Sequence, residues 1–239
     1  MKSRKKIKLL SLVVTSAMLL AACSDNDTDP VQPVPVPTPT SVDVTYEVTV
    51  TNLTNAQPLS PLGVIIHDEG HLWTIGETAS LALETMAEGG DNSQLLALPV
   101  GLANASGMAP IGPGNSDTVS ITIQDRVDSY ISVATMLVNT NDAFTGLDKY
   151  NLAELAVGDS QTWRFAALDA GTEENSEAMS TIPGPADGGE GFNANREARN
   201  IVTYHAGVVT NADGLDTSVL DASHKFDNPV IRLTVTRIE

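Results

Sequence analysis

VDVTYEVTVT, residues 42–51, decides how this chain folds. Val42, Val44, Tyr46, Val48 and Val50 alternate with Asp43, Thr45, Glu47, Thr49 and Thr51. Successive side chains of an extended strand point to opposite faces, so this pattern buries one face and leaves the other in water. The same period of two recurs at Val119-Ile121-Ile123 and at Ile231-Leu233-Val235. More continuous apolar runs occupy 62–66, 130–138 and 201–209, and Trp163-Arg164-Phe165-Ala166-Ala167-Leu168 reads as one half-buried strand. Clusters of Gly, Pro, Asn and Asp separate these segments. Only 77–88, rich in Ala, Leu, Met and Glu, has helical composition, and it stops at Gly89-Gly90, a C-terminal signal. The expectation is an all-β fold: an antiparallel β-sandwich of about eight strands with one or two short helices. Aromatic residues make up only 4% of the chain, and Gly-rich connections run over 101–115 and 184–195. A modest core carrying large loops follows from both, and loops of that length are functional or disordered.

Upstream of the strand the chain changes character. MKSRKKIK is a basic segment, and LLSLVVTSAMLLAA is an apolar one too short to span a bilayer as a helix. The stretch ends in Leu20-Ala21-Ala22-Cys23, which resembles the lipobox of bacterial lipoproteins. That resemblance implies a signal peptide over 1–22 and a lipidated Cys23 as the first mature residue. Ser24, rather than aspartate, stands after the cysteine, which implies the outer membrane, with the domain periplasmic or surface-exposed. Cys23 is the only cysteine, so no intrachain disulfide is available. Membrane contact then belongs to the acylated terminus, since several acyl chains hold where one binds marginally. Residues 24–41, SDNDTDPVQPVPVPTPTS, alternate proline with small and polar residues and favour extended polyproline II, a semi-rigid spacer. With Cys23 they form a linker over 23–41, and the folded domain is expected over 42–239.

Five of the 13 Lys and Arg leave with the signal while all 30 acidic residues stay, so eight basic residues face 30 acidic ones and the mature net charge is −22. Such a balance disfavours nucleic acid and anionic lipid as partners and suits cations or a saline exterior. His67-Asp68-Glu69-Gly70-His71 lacks the glutamate that zinc proteases place beside one of the two histidines, and its glycine opposes the required helix. The segment 187–193, DGGEGFN, is a single degenerate copy of a calcium repeat that works only in stacked arrays. After Asn139 and Asn141 an EF-hand pattern fails at Ala143 and Phe144. No G-x-S-x-G elbow is present, and the chain is not expected to be an enzyme. The carboxylates remain. DAGTEENSE, residues 169–177, crowds four of them at a strand end, with Gly171 to curl the chain so that Glu173 can face the space beside Asp169. The loop Asn141-Asp142-Ala143-Phe144-Thr145-Gly146 also follows an apolar strand and can bring a further oxygen donor. Calcium, a hard cation taking six to eight oxygens, suits such a set, and solvated acidic loops are the alternative.

Taken in order, eight segments resemble the spondin domain of F-spondin, mindin and many bacterial secreted proteins. They are Tyr46-Glu-Val-Thr-Val-Thr-Asn52, Gln57-Pro-Leu-Ser-Pro61 with His67, and Trp73 with Gly76-Glu-Thr-Ala-Ser80. Met86-Ala-Glu-Gly-Gly-Asp91, Ser132-Val-Ala-Thr-Met136, Asn141-Asp-Ala-Phe-Thr-Gly146, Asp169-Ala-Gly-Thr-Glu173 and Asn228-Pro-Val-Ile-Arg232 complete the series. The resemblance implies a C2-domain-like sandwich binding one Ca2+ between loops at one end. It assigns the metal ligands, position by position, to Asp142, Asp169 and Glu173. Glu173 stands where the family has aspartate, so its longer arm alters the expected geometry there. The eukaryotic disulfides and thrombospondin-type repeats are missing, so integrin and receptor activities do not carry over. The expected function is a lipid-anchored, extracytoplasmic, calcium-binding module for adhesion or matrix binding, its partner a protein or glycan. A purely structural calcium in an envelope lipoprotein is the alternative, and a hydrolase using His67 or His205 is a third reading.

Overall fold

The computed structural model describes residues 40–125, 128–195 and 198–239. The signal, Cys23 and all but the last two residues of the linker lie outside the described residues. Thr40–Glu239 form one compact unit. Two antiparallel sheets build a β-sandwich: a four-stranded sheet in the order β4-β1-β10-β7 and a six-stranded one in the order β3-β2-β5-β6-β8-β9. The strands are β1 (Asp43–Asn52), β2 (Gly63–His67), β3 (Gly101–Ser106), β4 (Ser116–Gln124) and β5 (Tyr130–Met136). They continue as β6 (Ala143–Asn151), β7 (Ser160–Phe165), β8 (Leu168–Asp169), β9 (Thr203–Tyr204) and β10 (Ile231–Arg237). Ten strands stand where about eight were expected, and the surplus is the two-residue pair β8 and β9.

Period-two patterning sets the first sheet. Val44, Tyr46, Val48 and Val50 of β1 face inward with Val119, Ile121 and Ile123 of β4 and Ile231, Leu233 and Val235 of β10. The outward face carries paired hydroxyls, Thr45 with Thr122, Thr49 with Thr118 and Thr162 with Thr234, each pair 2.8–3.0 Å apart. The second sheet is covered on both sides, which is why its central strands read as unbroken apolar runs. Val64, Ile66, Ile131 and Val133 enter the core between the sheets. Ile65, Ala134, Met136 and Phe144 point the other way, against Leu83 and Met86 of α1 (Leu81–Gly89) and Leu95 of α2 (Ser93–Leu96).

The helix begins at Leu81, four residues later than composition suggested. The Ser80 side chain accepts a hydrogen bond from Leu83 N and stops the helix from extending backwards, while Glu77 O is taken by Val202 N. Gly90, in the left-handed region at φ 70°, closes it by donating to Met86 O at 2.9 Å. Among the described residues no helix is long and apolar enough to cross a membrane.

Three further segments differ from expectation. The long connection 101–115 contains β3, an edge strand paired with β2. Its alternation is carried by small residues and was invisible to a hydrophobic count. The run 201–209 contributes only β9, because Val202 packs against the α1 layer while Val208 joins a separate small cluster with Ile182 and Leu220. The stretch 163–168 is two strands. β7 ends at Phe165 in the first sheet, and β8 begins at Leu168 in the second. Ala166 and Ala167 carry the chain between layers, held by Thr145 Oγ1 donating to Ala166 O at 2.9 Å and Ala167 N donating to Asn228 Oδ1 at 2.8 Å. This change of sheet delivers Asp169 to the end of the sandwich where Asp142 immediately precedes β6.

Candidate metal centre

Asp142 is set by the turn between β5 and β6. Thr140 Oγ1 donates to Leu137 O at 2.6 Å and accepts from Ala143 N at 3.0 Å, which locks the turn. β6 then pairs with β8 so that Ala143 lies opposite Asp169, and Ala170 N donates to Asp142 O at 3.3 Å. The two aspartates therefore leave adjacent strand ends. Beyond Asp169 the chain turns at Gly171, whose φ of 71° suits glycine and whose missing Cβ would lie 2.4 Å from Ile201 O. Gly171 N donates to Asp169 Oδ1 at 2.7 Å, and the turn aims Thr172 N and Glu173 N at Asp142 Oδ2, at 2.8 and 3.1 Å. Asn175 Nδ2 donates to Asp169 Oδ2 at 2.6 Å, and Asn141 Nδ2 donates to Glu173 Oε2 at 3.2 Å. Asp142 thus anchors the turn that carries Glu173, and all three expected ligands gather at one end of the fold.

Solvation does not explain this crowding: Asp142, Glu173 and Asp169 are 0%, 4% and 9% exposed. Of the four carboxylates in residues 169–177 only Glu174 is exposed. The fourth, Glu177, is buried too, its carboxylate accepting from Val209 N and Ser218 Oγ, and burial raises its pKa. Burial pushes the Asp142 carboxyl up to about 7, with the charge of Asp169 adding to it and that of Glu88 adding less. The backbone N–H groups of Glu173 and Thr172 oppose the shift. Asp142 Oδ1 is buried with no hydrogen-bond partner. A buried carboxylate oxygen in that state calls for a proton or a cation.

Among the described residues no three His, Cys, Asp or Glu side chains stand as a ready-made metal group. The donor chemistry nonetheless suits a hard cation, because each acid keeps lone pairs beyond the N–H bonds it accepts. Glu88, missed by sequence reasoning as part of this neighbourhood, is fully buried at the end of α1 and accepts from Asn193 N at 3.0 Å. The signal was available: an acid in the last helical turn, where the helix dipole disfavours one. A cleft of about 560 Å³ opens beside the turn, walled by Asp169, Glu173, Glu174, Asn175, Arg199 and Thr203.

The histidines take other roles. His205 is buried against Phe226, its ring 5.5 Å away, and burial lowers its pKa against the opposing pull of Asp169. Gly207 N donates to its Nδ1 at 2.9 Å, so a neutral ring carries its proton on Nε2, which is buried without a partner. With Nδ1 taken by Gly207 N–H, that tautomer turns no free lone pair toward a metal. His67, also buried, contacts Ser132 Oγ through Nε2 at 2.9 Å and Glu69 O through Nδ1 at 2.8 Å. Ser132 donates to Asp148 Oδ1 at 3.1 Å, and the other oxygen of Asp148 meets His71 Nδ1 at 2.6 Å. This network ties β2, β5 and β6 together, and its serine is fully buried. His67 and His71 do not share a metal position in it.

No protein-family model matches this chain, and no curated protein matches it in sequence.

Proposed function

We propose that the chain is a lipid-anchored module outside the cytoplasm that binds calcium through Asp142, Asp169 and Glu173 and uses that end of its sandwich for adhesion or matrix binding. The observation that carries this reading is the Asp142 carboxylate, fully buried with Oδ1 unpartnered and Asp169 beside it. A divalent cation would neutralise the charge concentrated there and fix the turn over 171–173. The acidic balance of the chain and the lipobox-like segment ending at Cys23 support an extracytoplasmic setting where calcium is plentiful. The ordered resemblance to the spondin domain supports the same ligands.

A purely structural ion is a second reading, favoured by the near-complete burial of Asp142 and Glu173. Calcium titration by calorimetry tests the common premise. At a hundredfold excess over Kd the ion would stabilise the fold by about 2.7 kcal/mol. Asp169→Ala is expected to remove most of the calcium-dependent rise in Tm, and an unchanged rise in that variant would count against the site. Adhesion of intact cells, with and without chelator and beside the same variant, separates an adhesive ion from a structural one.

A further inference from the structure

We infer that β7, an open edge of the four-stranded sheet, takes an extended acidic segment of a partner protein as a fifth strand, with a carboxylate of that segment over Arg164. β7 is the last strand of its sheet. Arg237 N donates to Asp159 O at 3.0 Å and Val230 N to Phe165 O at 2.9 Å, so both ends of the strand bond toward β10 through odd-numbered residues. Antiparallel ladders alternate, and Ser160, Thr162 and Arg164 therefore turn their N–H and C=O groups to the open side. All three residues are exposed, and among the described residues nothing bonds to those backbone groups. β7 has no proline and its register with β10 runs unbroken, so its backbone does not block a further strand.

Charge on this edge selects the partner. After residue 23 the chain has eight Lys and Arg against 30 Asp and Glu, yet two of the eight, Arg164 and Arg232, lie directly opposite each other on the outward face. Like charges so placed weaken a pair of strands. Both arginines are exposed. Arg232 Nη2 donates to Thr51 Oγ1 at 3.2 Å, while Arg164 has no hydrogen bond or ion pair among the described residues. The acids of β1 on the same face, Asp43 and Glu47, lie toward the other end of the sheet, Glu47 beside Thr236. A carboxylate over Arg164 would offset the opposed charges and match the guanidinium fork.

Only a strand uses both features together. Residues opposite each other in an antiparallel pair share a face, so the partner residue that bonds the Arg164 backbone also sets its side chain beside the guanidinium. A lipid headgroup or a sulfated glycan would meet the arginine alone, leave the edge unpaired and still face the repulsion of an acidic chain. The opposite edge strand, β4, makes the comparison. Asn52 N donates to Asn115 O and Asp125 N to Val42 O, so β4 opens Ser116, Thr118, Ser120, Thr122 and Gln124 to its free side. None of these is charged, and that edge has no means of choosing an acid.

The test titrates the purified full chain, in EDTA so that no metal takes part, into a labelled synthetic peptide of alternating Asp and Val and follows fluorescence anisotropy. Two control peptides carry Lys in place of Asp, or an N-methyl group on every Asp, whose N–H is the one that would meet β7. The expected result is binding of the acidic peptide alone at concentrations up to about 1 mM, weakened about tenfold by Arg164→Gln. Thr162→Pro should abolish binding, because it removes an edge N–H that β10 does not use, and Ser120→Pro on β4 should not. If Thr162→Pro unfolds the chain, the N-methylated peptide decides, since it leaves the protein untouched. Equal binding of the N-methylated peptide, loss with Ser120→Pro instead, or an indifferent Arg164→Gln overturns the proposal. So does no binding of the acidic peptide, or capture of phosphatidylglycerol vesicles or a sulfated glycan in its place; Arg164 then only guards an exposed edge.

Discussion

Asp142→Asn separates the charge of Asp142 from its shape. In the calcium-free protein the folded-state pKa of Asp142 is about 7 against 3.8 for the free side chain. A raised carboxyl pKa means that the folded state holds its proton more tightly. Its contribution to stability is therefore complete below about pH 4 and is lost as pH rises through 7. The full swing is about 4 kcal/mol, from roughly 1.4 kcal/mol for each pH unit of displacement. Asparagine removes that swing. Its carbonyl can keep the bonds from Thr172 N and Glu173 N, while its amide replaces the unpartnered Oδ1 and leaves a buried donor costing about 1–3 kcal/mol. At pH 8 in chelator the variant should be the more stable protein by about 1–3 kcal/mol, or roughly 3–10 °C in Tm for a domain of this size. At pH 5 the advantage should vanish or reverse, because wild-type Asp142 is then protonated. Saturating calcium should raise the wild-type Tm and leave the variant where it was. Thermal unfolding followed by circular dichroism from pH 5 to 8, with EDTA and with calcium, reads all three comparisons. A variant less stable than wild type throughout, with its calcium response intact, would refute the reasoning that this carboxylate is ion-demanding.

Other consequences are simpler. Gly171→Ala forces a Cβ to within 2.4 Å of Ile201 O at a φ of 71°, so it should cost several kcal/mol, about 3 or more, and abolish calcium binding by displacing Glu173; denaturant melts and calorimetry would show both. Phe144→Ala removes a fully buried ring that meets Trp73 edge-on at 5.1 Å, and should lower stability by about 3–5 kcal/mol. That loss should appear equally with and without calcium. Cys23→Ser should move the protein from the detergent phase to the aqueous phase in a phase-partition assay, if acylation at Cys23 is what holds it to the membrane.

Much of the sandwich was legible because its clearest strands each have one wet face. β1, β4 and β10 announce themselves by alternation, and Gly89-Gly90 announces the end of α1. β3 escaped notice because Gly101, Ala103 and Ala105 are too small to mark a face. β8 and β9 escaped because two-residue strands have no period to read. The acids were legible as residues, since crowding four carboxylates within 169–177 is unusual in any sequence. Their environments were not. Glu174 in water and Glu177 beneath Val209 N look alike on the page.

By itself the sequence determined the class of fold, the acidic balance and the lipobox-like segment, because hydrophobic period, charge and a short linear motif are local properties. Only the tertiary structure decided that 163–168 changes sheets, that Asp142 lies under the turn carrying Glu173, and that Asp142 Oδ1 and His205 Nε2 are buried without hydrogen-bond partners. Burial and hydrogen-bond satisfaction depend on which distant segments pack together. A carboxylate's demand for a proton or a cation comes into being only when the rest of the chain has taken its water away.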